Sequence, residues 1–292
     1  MNNDRKFPDL RPALQMIGSV LAGLWLWLQD ACAVLAGLWL RLWRKCKKLT
    51  LLPLAVLVAG AVGAALRLWL LSSGKDPGGL IAPEHPAGTL LVILTLGVLV
   101  LLVFATRHLV QGSKYSFNFP ASKLRCGGTV VGALGMLATA ISQLTAGGDG
   151  LSIACAVLGL AAGAVLGYIG FLYLQGKQPS LFLHGFVCVY LMLLLICQYR
   201  IWSSEPQIQT YCYPLLATVC VMLACYHNAM FDGDWGTRRA FTVFHLLAGF
   251  FCCLSVVGDY MPLFYLGMGA WMFTDRCSLT PMSTAYLREQ KR

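Results

Sequence analysis

His184, His227 and His245 fall at similar depths in three apolar segments, and Asn228, Asp232 and Asp234 lie between the last two. Neutral imidazole binds metals and exchanges protons near neutral pH. Ionisable groups inside apolar segments are costly and often mark a site. At 1.5 Å per residue, each histidine sits roughly one to one and a half helical turns inside its segment. Together these residues outline a polar pocket able to take a proton, a metal ion or an anionic head group. His184, His227 and His245 are its candidate metal ligands, but the sequence calls for no cofactor and assigns no catalytic residue. The 12 cysteines contain no C-x-x-C pair, and most fall in apolar segments, where Cys packs as a small apolar residue. H-E-x-x-H, G-x-S-x-G and the P-loop are absent.

The elements that position these residues follow from composition. The 292 residues are 58% apolar and 12% charged, with a mean hydropathy of +0.69. A soluble domain carries about 25% charge, so this chain cannot assemble a soluble surface. Disorder needs low hydrophobicity and high charge and is excluded as well. A membrane-crossing helix needs about 20 mostly apolar residues. Eight stretches approach that length: Leu51–Leu71, Ala87–Thr106, Gly127–Ala146, Leu151–Leu174, Leu181–Gln198, Tyr211–Phe231, Ala240–Val257 and Gly258–Phe273. The last is the shortest and contains Pro262. The expected fold is an all-α polytopic bundle of about eight spans.

The net charge of +10 is then a topology signal rather than a nucleic-acid signal. Lys and Arg accumulate in cytoplasmic loops. Alternating the loops from a cytoplasmic 41–48 gives +12 on the cytoplasmic side and −2 on the other. Both termini are therefore expected inside a cell membrane, with a bacterial inner membrane favoured. Trp69 and Trp202 fall near the outer boundary, Trp235 and Trp271 near the inner one, as in an aromatic belt. Arg67, close to the outer end of its span, is expected to snorkel to the interface.

Residues 13–43 carry VLAGLWL twice, 14 residues apart, close to four helical turns. A signal peptide would leave the basic cluster outside, and a hairpin would have arms too short to cross. The favoured reading is one amphipathic helix lying in the cytoplasmic interface. Arg41, Arg44, Lys45, Lys47 and Lys48 follow it and are expected to contact anionic lipid head groups.

Gly159, Gly163 and Gly167 recur at four-residue spacing, which lets helix backbones approach closely. Packing within the bundle is preferred to pairing with a second copy. The domain reading is a cytoplasmic segment over 1–48, a Gly/Ala-rich four-span bundle over 49–174, a Cys-, aromatic- and His-rich four-span bundle over 175–273, and a basic tail over 274–292. The expected partners are the bilayer, its anionic lipids and a protein partner or second copy, with no nucleic acid. The leading functional reading is a non-catalytic, permease-like or accessory membrane component. The alternatives are a membrane-embedded enzyme acting on lipid-linked or apolar substrate, and a stand-alone solute carrier.

Overall fold

The computed structural model describes residues 51–74, 81, 85–109, 112–203, 207–258 and 260–280. The expected interfacial helix, the basic cluster Arg41–Lys48 and the far end of the tail lie outside these residues.

Nine helices are found among the described residues: α1 (Leu51–Ser73), α2 (Pro86–Thr106), α3 (Tyr115–Asn118), α4 (Lys123–Ala146), α5 (Gly150–Leu174), α6 (Leu181–Trp202), α7 (Ile208–Asp232), α8 (Arg238–Val256) and α9 (Pro262–Cys277). The all-α polytopic bundle read from the sequence is observed. Seven helices, all but α3 and α9, are long and apolar enough to cross a membrane. The chain is a multi-pass membrane protein on that ground. The eighth stretch, Gly258–Phe273, forms a helix shorter than the other seven. The chain takes a left-handed turn at Met261, and the 16-residue α9 starts only at Pro262. Such a helix reaches about 24 Å, short of the roughly 30 Å hydrocarbon core.

Burial orders the helices. The apolar window of α8 is 67% buried and that of α7 is 56% buried, whereas α1 and α2 reach only 28% and 22%. The outward residues of α1 and α2 are Leu, Val and Ile, including Leu54, Val58, Val92, Ile93 and Leu96. Residues of this kind suit hydrocarbon on the outside of a bundle. By contrast α9 is internal, with Phe264, Tyr265, Met268, Trp271 and Met272 all fully buried.

Glycine sets how close α9 comes to α4. A Cβ on Gly135 would lie 2.8 Å from the Leu263 carbonyl oxygen, and one on Gly267 would lie 2.9 Å from that of Val131. The two backbones touch here, so neither position has room for a side chain. One or two turns along, a Cβ on Gly128 would collide with Thr274. The α5 glycines act similarly. Gly159 faces the Tyr190 ring of α6 and Ala140 of α4, and Gly163 faces Leu137 of α4. In lipid, this close packing takes the place of hydrophobic association.

Two of the tryptophans and one arginine are buried between helices. Trp69 and Trp235 are exposed, but Trp202 and Trp271 are buried. Arg67 is only 2% exposed and points inward. Its Nη1 donates to the Leu254 carbonyl at 2.7 Å and its Nη2 to the Thr210 carbonyl at 3.1 Å. The cause is Pro214, inside α7. Proline has no N–H, so the carbonyl four residues earlier loses its helical donor. That carbonyl belongs to Thr210. Leu254 lies in the last turn of α8, where carbonyls also lack helical partners. Arg67 supplies both, and snorkelling would leave both unmet.

Candidate functional site

Capping at several helix ends brings polar side chains to one end of the bundle. Ser122 caps α4, its hydroxyl accepting from the Arg125 N–H at 3.3 Å, which places Arg125 in the first turn. α5 ends at Gly176, φ 68°, with Lys177 N–H on the Leu172 carbonyl and Gly176 N–H on that of Tyr173. This left-handed glycine closure sets Tyr173 in the final turn. α7 closes the same way, but with Asp234 at φ 61° in the glycine position. Trp235 N–H bonds to the Met230 carbonyl and Asp234 N–H to that of Phe231. The Asp234 carboxylate then accepts from Tyr115 N–H at 2.7 Å and fixes the start of α3.

Arg125 is the hub of the site. Its Nε donates to Asp275 Oδ1 at 3.1 Å, Nη1 to the Tyr115 hydroxyl at 3.2 Å, and Nη2 to the Tyr173 hydroxyl at 2.9 Å and Asn228 Oδ1 at 3.2 Å. Its guanidinium carbon lies 3.7 Å from the centre of the Tyr173 ring and 3.9 Å from that of Phe119. Arg125 and Asp275 are 1% and 0% exposed. Burial pushes the Tyr115 phenol up to about 12, against the opposing pull of Arg125.

The hydrogen bonds have a direction. Arginine only donates, so the Tyr173 hydroxyl accepts from Arg125 and is free to donate to His184 Nε2 at 3.2 Å. His184 Nδ1–H then donates to Asp232 Oδ2 at 2.5 Å. On the other side, Asn228 Nδ2 donates to Asp275 Oδ2 at 2.9 Å and to His245 Nε2 at 3.1 Å. His245 Nδ1–H donates to the Phe241 carbonyl at 2.8 Å. Every nitrogen of both imidazoles is in use. Asp232 Oδ1 has no hydrogen-bond partner among the described residues, and neither does the nearby Trp271 Nε1. Trp271 stacks on His184, ring centres 6.3 Å apart and planes within 10°.

Comparison of the chain with protein-family models, curated proteins and solved structures returns no match. The site is therefore read from its own chemistry.

Of the residues expected to form a polar pocket, His184, Asn228, Asp232 and His245 share this network. Asp234 braces it from outside. His227 does not join. It points away on α7 and stacks on Phe244, ring centres 5.1 Å apart. The three histidines thus do not converge as ligands, and no group of His, Cys, Asp and Glu able to hold a metal is found among the described residues. Both nitrogens of His184 and of His245 are already bonded to protein.

Sequence reasoning missed four members: Tyr115, Arg125, Tyr173 and Asp275. Asp275 falls in the stretch expected as a basic tail over 274–292. Arg125 and Asp275 both lie in terminal turns of helices, which makes them look like loop residues. The usable signals were local. Ser122 three residues before Arg125 is an N-cap pattern. Gly128, three residues after it, marks a face with no room for a side chain beside Thr274 of α9.

Proposed function

We propose that this protein is a non-catalytic, accessory or permease-like membrane component whose buried charge network is a clamp. The supporting observation is that the network spends its own groups. One guanidinium, two phenols, two imidazoles, one amide and two carboxylates join α3 through α9, seven consecutive elements, by hydrogen bonds to each other. A site that binds and converts a substrate keeps such groups pointed at a cavity. Here they point at neighbouring helices. The apolar faces of α1 and α2, the least buried of the seven long helices, remain for outside contact. On this reading the clamp lies at the cytoplasmic end, where the basic loops gather.

Asp232 Oδ1 favours a second reading. A carboxylate oriented through His184 and Tyr173, with one oxygen uncommitted, resembles a general-base arrangement. It supports an enzyme acting at the cytoplasmic leaflet.

The test starts from native membranes extracted in mild detergent. The accessory reading expects a defined complex, larger than one chain, that survives purification. Purified protein alone in vesicles is expected to move no solute. A lone chain that transports would sink the reading in favour of a carrier. Turnover of a lipid-linked substrate, lost in His184→Gln without loss of folding, would replace it with the enzyme.

A further inference from the structure

A groove of about 400 Å³ lies away from the clamp, between α2 and α8. Val103 of α2 lines one side, and Thr237, Arg239, Ala240, Val243 and Phe244 line the other. This volume falls within the usual range of small-ligand sites. Its lining is apolar along Val103, Ala240, Val243 and Phe244, and polar only toward the start of α8.

Charge is arranged along the groove. Arg239 is exposed in the first turn of α8. Arg107 follows Val103 by one helical turn, so α2 also carries an exposed positive charge at that end. Thr237 occupies the N-cap of α8 without making a side-chain cap. The first-turn N–H groups there have no helical acceptor, and helix N-termini attract anions. None of the lining residues is acidic. Asp234, the nearest acid along the chain, is committed to Tyr115 N–H.

An apolar groove between two membrane-crossing helices, with cationic side chains at one end, matches one kind of molecule in shape and charge. We propose that the groove holds an acyl chain of a membrane phospholipid with an anionic head group, whose phosphate rests on Arg239 and the open first turn of α8. The inference does not depend on the accessory-component reading. It requires only that α2 and α8 cross the membrane.

The experiment uses the full chain purified in detergent. Phosphatidylglycerol or phosphatidylcholine is added, and binding is read by native mass spectrometry and thermal unfolding. Phosphatidylglycerol is expected to bind and stabilise more than phosphatidylcholine. Arg239→Gln is expected to weaken that binding about tenfold, the loss of one charge-assisted contact. Val243→Trp fills the groove and is expected to abolish binding of both lipids; Ala240→Leu, a smaller filler, gives the same test if that variant does not fold. Arg200→Gln, whose parent arginine pairs with the distant Asp149, is expected to leave binding unchanged. A photo-crosslinker at position 243 is expected to capture lipid. Equal binding of the two lipids, or a phosphatidylglycerol preference that survives both Arg239→Gln and the filler, overturns the proposal. So does equal stabilisation by inorganic phosphate, or capture at 243 of another part of this chain or of a second copy.

Discussion

Replacing Arg125 by Met removes one guanidinium that makes four hydrogen bonds from a position only 1% exposed. Hydrogen bonds to charged groups contribute about 1.5–3 kcal/mol each. Four of them would give an implausibly large total. Taking the ions out of water offsets much of it, at several kcal/mol per ion. What remains is the penalty for stranding Asp275 as an unpaired buried charge, about 3–5 kcal/mol. Arg125→Met is therefore expected to destabilise by that amount, and Asp275→Leu, which strands Arg125 instead, by a similar amount. The double variant Arg125→Met/Asp275→Leu strands neither. It is expected to be more stable than the sum of the singles predicts, by about 2 kcal/mol or more. Unfolding can be followed by denaturant titration in detergent, reading the fluorescence of Trp271 next to His184, with Trp271→Phe identifying its signal. Single variants that lose less than about 1 kcal/mol, or costs that simply add, would refute the clamp.

Three further predictions concern other parts of the bundle. Gly135→Ala drives a Cβ to 2.8 Å from a backbone oxygen and is expected to cost about 1–3 kcal/mol, whereas Gly127→Ala meets nothing within 4 Å and is expected to stabilise α4 by about 0.5–1 kcal/mol; thermal unfolding compares the two. Arg67→Met orphans the Thr210 and Leu254 carbonyls and is expected to cost about 2–4 kcal/mol. Pro214→Ala returns an N–H to Thr210 and is expected to recover part of that loss in a double-mutant cycle. At the opposite end, hydrogen bonds from Ser152, and then Arg200, hold the Asp149 carboxyl below its ordinary value. A lowered carboxyl stabilises fully above its unfolded value, about pH 4, and the contribution fades as pH falls through the folded value. Asp149→Asn is expected to flatten that acid limb of the unfolding temperature against pH.

Much of the architecture was legible because hydrocarbon is an unforgiving solvent. A backbone crossing it has to satisfy its own hydrogen bonds, so long apolar stretches become helices. All eight stretches did, and seven of them are long and apolar enough to cross a membrane. The eighth contains Pro262 and follows a left-handed residue, and composition does not distinguish a short internal helix from a crossing one. The site was half legible. His184, Asn228, Asp232 and His245 stood out because polar residues near apolar stretches are conspicuous. Arg125 and Asp275 did not, because charges in terminal turns resemble ordinary loop charges. His227 and His245 looked equivalent by depth, yet α7 turns His227 away from the network while α8 turns His245 into it. Rotation about a helix axis is set by packing against neighbours, which depth along one helix does not report.

The sequence by itself therefore determined the apolar solvent and the helices, because each depends on local composition and length. Which charges are paired, which are exposed and which helix is innermost was decided only by the tertiary structure. Arg67, Arg125 and Arg200 are the same residue type near helix ends. One satisfies carbonyls freed by Pro214 and a helix end, one ties α4 to α3, α5, α7 and α9, and one pairs with Asp149 at the surface. Their environments come from glycine contacts and helix rotation between segments far apart in the chain, and no local pattern encodes them.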